Sequence, residues 1–158
     1  MRYSILVLSS ILLAQMACAD EAYHTYHNYR FSYSIAYPKD IMYPQGESDN
    51  GDGQKFLSKD ADASLIVYGS NNALDQSLED RYLEESRGGT NQDPTKVVTY
   101  KVLRNEWFVV SGYNSGNVFY QKTILNNDQF KTFYFAYPEG KKQFFDPITK
   151  YIASSFKG

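Results

Sequence analysis

Between Thr95 and Pro138 the chain repeats one arrangement: stretches rich in Val, Ile, Phe, Tyr and Thr, each closed by a few polar residues. The stretches are 96–104, 106–113, 117–125 and 129–137, separated by Asn105, by Asn114-Ser115-Gly116 and by Asn126-Asn127-Asp128. β-Branched and aromatic side chains suit a pleated, half-buried surface, and Asn, Ser, Gly and Asp suit tight turns. Connections this short hold successive strands next to each other and antiparallel. The expected element is a four-stranded meander.

Its strands carry apolar residues on both faces. Trp107 and Val109 alternate with Phe108 and Val110, and Phe130 and Tyr134 alternate with Phe133 and Phe135. A sheet wetted on one side would alternate apolar with polar, so this one is expected to be covered on both. Residues 73–87 place Leu74, Leu78 and Tyr82 at helical spacing between Asn72 as a cap and Gly88-Gly89 as a stop. Residues 139–156 place Phe145, Ile148, Ile152 and Phe156 on one stripe, with Pro147 expected to kink or restart the helix and Asp146 to cap the restart. Further strands are expected at 23–28, 30–37, 54–58 and 63–69, with a long loop over 38–53. The expected fold class is α+β: one antiparallel sheet with helices on both faces, forming a single domain over 20–158.

The first nineteen residues have the layout of a secretory signal peptide: Arg2, an apolar run from Ile5 to Leu13, and Ala17-Cys18-Ala19 as a small-x-small cleavage site. That run is well short of the roughly 20 residues a spanning helix needs. Cleavage after Ala19 makes the expected location periplasmic or secreted. Gln15-Met16-Ala17-Cys18 faintly resembles a bacterial lipobox, so a lipid anchor at Cys18 is the alternative. Cys18 is the only cysteine, so no disulfide can staple the domain. With 16 basic against 18 acidic residues and no Lys/Arg cluster, nucleic acid is excluded as a partner on electrostatic grounds. The outlier is aromatic content, 16% of the chain with 15 Tyr, which gives aromatic strands or a tyrosine-lined binding face.

Few motifs carry chemistry. His24 and His27, beside Asp20 and Glu21, have the spacing of a weak metal pair; edge-strand histidines are the plainer reading. Glu47-Ser48-Asp49-Asn50-Gly51-Asp52-Gly53 is rich in oxygen ligands, yet it departs from the EF-hand pattern and also reads as turn chemistry. Gly112-Tyr113-Asn114-Ser115-Gly116 misplaces the serine of a nucleophile elbow and lacks its strand-to-helix context. Glu84-Glu85 reads as a solvated helix end. No catalytic residue, cofactor or metal is assigned. The long 38–53 loop is the expected contact surface, with Met42 and Tyr43 as partly exposed apolar anchors and Glu47, Asp49 and Asp52 as its acidic part.

Several stretches together resemble the PsbP-like α/β/α sandwich superfamily, which includes exported bacterial DcrB-like proteins. They are Arg30-Phe31-Ser32-Tyr33-Ser34-Ile35-Ala36-Tyr37-Pro38, Asn50-Gly51-Asp52-Gly53 with Lys55-Phe56, Leu65-Ile66-Val67-Tyr68-Gly69, Trp107-Phe108-Val109-Val110-Ser111-Gly112, Phe119-Tyr120-Gln121-Lys122, Tyr137-Pro138, and Ile152 with Ser155-Phe156. The resemblance implies a non-enzymatic binding or assembly module and brings no catalytic residue with it. The expected function is an exported envelope adaptor that binds another envelope or secreted protein, or a peptide. The alternatives are an immunity or inhibitor protein against a secreted toxin, whose acidic loop would plug a basic cleft, and a small-molecule or metal binder. The intact mass of the exported protein should correspond to a chain beginning at Asp20; a mass carrying acyl chains on Cys18 would overturn cleavage after Ala19.

Overall fold

The computed structural model describes residues 22–158. The segment over 1–19 expected to direct export, the Cys18 thiol, and Asp20 and Glu21 lie outside the described residues. The chain is α+β. Its strands are β1 (Tyr23–Asn28), β2 (Tyr33–Pro38), β3 (Met42–Glu47), β4 (Gly53–Ser58), β5 (Ser64–Asn71), β6 (Val97–Leu103), β7 (Trp107–Asn114), β8 (Asn117–Asn126) and β9 (Gln129–Pro138). Helix α1 (Leu78–Glu85) lies between β5 and β6, and a 3₁₀ turn (Glu139–Lys141) leads from β9 into helix α2 (Lys142–Ser155).

Strands β3 to β9 form a seven-stranded sheet in the order β3-β4-β5-β9-β8-β7-β6, antiparallel at every pairing. Turn chemistry sets the register at its C-terminal end. Ser115 (φ 49°) and Gly116 (φ 79°) close β7 onto β8, and Asn127 (φ 53°) and Asp128 (φ 56°) close β8 onto β9. Positive φ at both central residues gives the two-residue turns whose twist matches that of the flanking strands. β1 and β2 form a hairpin of their own.

Side chains alternate between two apolar clusters. Val118, Ile124, Phe133, Phe135 and Tyr137 pack with Phe145, Ile148, Ile152 and Phe156, and the hairpin adds Tyr33 and Ile35 to the same core. Phe108, Val110, Phe119 and Phe130 pack with Leu78, and Tyr82 closes against them. The hairpin also joins the end of α2 and the residues after it. Ser34 and Lys157 exchange backbone hydrogen bonds of 2.9 and 3.0 Å, and the Ala36 amide donates to Ser155 Oγ at 2.9 Å. Phe31 lies over Gly69 of β5, where a Cβ would come within 2.2 Å of its ring. Only glycine permits that approach.

Three expectations need correction. The 38–53 segment is not a structureless loop, because Met42–Glu47 pairs with β4 as an edge strand, with a register shift between Pro44 and Glu47. Pro44 is tolerated there because an edge strand leaves one side without a ladder. Helix α1 begins at Leu78, capped by Ser77 in a reciprocal capping box with Asp80; Asn72 instead accepts from the Gln76 amide at 2.9 Å, and Leu74 is 81% exposed. Helix α2 runs unbroken through Pro147. The amide that proline lacks would have met the carbonyl of Gln143, and both residues sit on the exposed side, where water can satisfy that group. Asp146 makes no cap. Its carboxylate accepts from Tyr137 Oη at 2.8 Å and from Lys142 Nζ.

Phe133 is fully buried where sheet, hairpin and α2 meet, stacking on Tyr120 and edge-on to Phe156. Phe133→Ala should cost about 3–5 kcal/mol in urea unfolding. A loss under about 1 kcal/mol, within the range of ordinary surface substitutions, would contradict this packing.

Candidate functional site

The five residues expected to form one contact surface separate into three environments. Met42 is corrected outright: it has 0% exposure and belongs to the core with Phe56 and Leu65. β3 is a strand, so neighbouring side chains point to opposite faces. Met42 turns inward and Tyr43, 42% exposed, turns out. Glu47, Asp49 and Asp52 lie at the other end of β3, four or more residues away, which places them roughly 13 Å or more along the strand from Tyr43.

That acidic end is held by its own hydrogen bonds. Tyr26 Oη donates to Glu47 Oε1 at 2.6 Å. Asp52 accepts from Ser48 Oγ and from Asn50 Nδ2, and the Ser48 hydroxyl, followed by Asn50, holds the Asp52 carboxyl below its ordinary range. Asp49 is exposed. Among the described residues no three His, Cys, Asp or Glu side chains converge as a metal site. His24 and His27 stand three apart on β1, an odd spacing that sends them to opposite faces. His24 lies edge-on to Tyr37, and His27 stacks on Tyr29.

Tyr43 does rim a cleft of about 730 Å³ between the start of α2 and the β3–β4 end of the sheet. Phe144, 55% exposed, stands on its α2 side, and Ile41 and Phe145 contribute apolar floor. The polar wall comes from the β4–β5 turn. Lys141 Nζ lies 2.8 Å from Asp60 Oδ2 and 2.6 Å from Asp62 Oδ2. The Ser58 hydroxyl reaches Asp60 Oδ1 at 2.7 Å and Asp62 Oδ1 at 3.2 Å, while its oxygen accepts the Ala63 amide at 3.0 Å. Lys141 and then Ser58 hold the Asp60 carboxyl well below the usual carboxylate range, and Asp60 and Asp62 raise Lys141 in return. Both side chains are open to water, so screening keeps the energetic value of this contact small. With Asp40 and Lys59, three acids line the cleft against two lysines. An apolar rim beside an acidic wall fits an apolar anchor next to a cationic group.

Sequence reasoning missed Asp60, Asp62, Lys141 and Phe144. Lys59-Asp60-Ala61-Asp62 reads as a turn, and nothing local announces that Lys141, 81 positions beyond Asp60, will sit on it. Phe144 had a readable signal, because it lies beside Phe145 on the helix and a single apolar stripe cannot bury both.

No family model matches the chain, and no curated protein matches it. Among solved structures it is similar to the solution structure of cyanobacterial PsbP (CyanoP) from Synechocystis sp. PCC 6803, with a TM-score of 0.63 and 16% identity over 86% of this chain and 92% of that one. Among the described residues no helix is long and apolar enough to cross a membrane. The chain therefore has a PsbP-like fold, an α+β architecture with a mostly antiparallel sheet and two helices.

Proposed function

We propose that this chain is an exported bacterial envelope protein, periplasmic or secreted, that binds another protein or peptide and performs no catalysis. On this reading β6 to β9 are the meander of a PsbP-like α/β/α sandwich, and the two helices are its outer layers. The observation that carries the binding role is the pair of exposed aromatics, Tyr43 and Phe144, on one cleft beside the Asp60–Asp62–Lys141 cluster. Large apolar side chains left in water next to a polar rim are the usual composition of an interface centre. The partner segment that fits presents an apolar side chain next to a Lys or Arg.

A second reading, an immunity or inhibitor protein, draws on the acidic turn. Its acids stand in a turn fixed by Tyr26, Ser48 and Asn50, so a basic cleft could take Glu47, Asp49 and Asp52 at little ordering cost.

A photo-crosslinking side chain at position 59, exposed on the cleft wall and introduced in the native host, should capture one dominant partner. Tyr43→Ser with Phe144→Ser should cut that capture by at least tenfold while stability stays within about 0.5 kcal/mol per surface site. Unchanged capture would overturn the cleft reading, and crosslinks only from positions 49 and 52 to a basic toxin would favour the second. The Met42→Ser variant should unfold the domain instead, since it empties a core site.

The cleft also has a pH signature. A carboxyl whose folded pKa is depressed contributes stability that is present above its free value of about 3.9 and is lost as pH falls through the folded midpoint. Carbon-13 titration should therefore place the Asp60 midpoint below the free value, and Lys141→Met should move it back up. An Asp60 midpoint that ignores Lys141 would remove the ion-pair cluster from the cleft's description.

A further inference from the structure

The opposite flank of α2 bounds a second groove, of about 500 Å³. Lys142, Asp146, Thr149 and Lys150 stand at i, i+4, i+7 and i+8, so one helical stripe forms its wall. The floor is the sheet. Tyr100 of β6 pairs with Ser111 of β7, and Ser111 pairs with Tyr120 of β8, which sets three side chains in a row across three strands on the face toward α2. With strands about 4.8 Å apart, the two tyrosine backbones are separated by roughly 9.6 Å. A flat ring between two others needs about 7 Å, two contacts of about 3.5 Å. The residue between them is small, and its hydroxyl is engaged by Phe119 O at 2.7 Å. The row leaves room for one aromatic ring, a slot between the two tyrosines.

The polar groups around the slot are not balanced. Asp146 has both oxygens occupied, one by Tyr137 Oη at 2.8 Å and the other by Lys142. Lys150, exposed on the same stripe, has no acid within ion-pair distance among the described residues. Burial, with Tyr100 alongside, pushes the Tyr120 hydroxyl up to about 12, so it stays protonated and able to donate. Tyr100 is 56% exposed and can swing over an occupant.

We infer that this groove is a binding site for a small planar aromatic or heteroaromatic anion, its ring between Tyr100 and Tyr120 over Ser111 and its negative group toward Lys150. The site uses none of the residues of the Tyr43–Phe144 cleft, so the two stand or fall separately.

Titrating the full chain with 2-naphthoate, followed by amide chemical shifts, should move residues around 100, 111 and 120 together with 146–150. Neutral 2-naphthalenemethanol and the non-planar cyclohexanecarboxylate should each bind at least about tenfold more weakly, and Lys150→Glu should weaken 2-naphthoate by a similar factor. Ser111→Leu, which fills the slot, should abolish binding. Should that variant fail to fold, Lys150→Glu on the exposed helix face and the two analogues still decide. Tyr43→Ser with Phe144→Ser should leave 2-naphthoate binding unchanged. Shifts confined to another part of the surface, equal binding of cyclohexanecarboxylate, or indifference to Lys150→Glu would overturn the proposal.

Discussion

Strand β9 has no solvent face, and the rest of the fold is arranged around that fact. It pairs with β5 along one side and β8 along the other. Phe133, Phe135 and Tyr137 project into the larger core and Phe130 into the smaller one. Rings on both sides of one strand require an apolar layer above it and another below, because each exposed ring would forfeit roughly 1.5–3 kcal/mol of burial. Residues of α2 and of the β1–β2 hairpin share the cluster of Phe133, Phe135 and Tyr137, and Leu78 and Tyr82 of α1 share the cluster of Phe130. Thr123 and Thr132, facing each other across β8 and β9, share a buried hydroxyl contact of 2.9 Å, so even the polar side chains in the sheet's centre are satisfied internally.

Helix α2 then divides the outer surface. Its core stripe of Phe145, Ile148 and Ile152 seats it on the sheet, and residues to either side of that stripe face different clefts. Lys141 and Phe144 meet the β4–β5 turn, while Lys142, Asp146 and Lys150 meet the tyrosine row. Two neighbouring lysines are thereby committed to different carboxylates, Lys141 to Asp60 and Asp62, Lys142 to Asp146. A helix that packs on one stripe presents the residues beside it to whatever borders it. Both clefts follow from this placement, the β4–β5 turn supplying the polar wall of the first.

The strand content was legible where local chemistry is strong. The stretches read at 96–104, 106–113, 117–125 and 129–137 are strands at 97–103, 107–114, 117–126 and 129–138, because β-branched runs and two-residue turns are local signals. What failed was local evidence that tertiary context overrides. Asn72 looked like a cap, but Ser77 with Asp80 makes the stronger box. Pro147 looked like a break, but its missing amide faces water. Met42-Tyr43 looked like a pair of anchors, yet strand alternation sends one residue to the core and the other to the surface. The clefts were hardest to read. Asp60 with Lys141, or Tyr100 with Ser111 and Tyr120, become neighbours only once strand order and register are fixed, and neither is written in any short window.

The closure of the hairpin by residues 155–157 has a kinetic meaning. β1 and β2 pair with no strand of the seven-stranded sheet, and much of their hold on the body comes from Ser155, Phe156 and Lys157, with Ala36 and Ser155 119 positions apart. The larger core therefore depends on contacts that span most of the described residues. Contacts of such long sequence separation slow folding. The larger core is completed only when residues 33–36 and 155–157, far apart in sequence, have met.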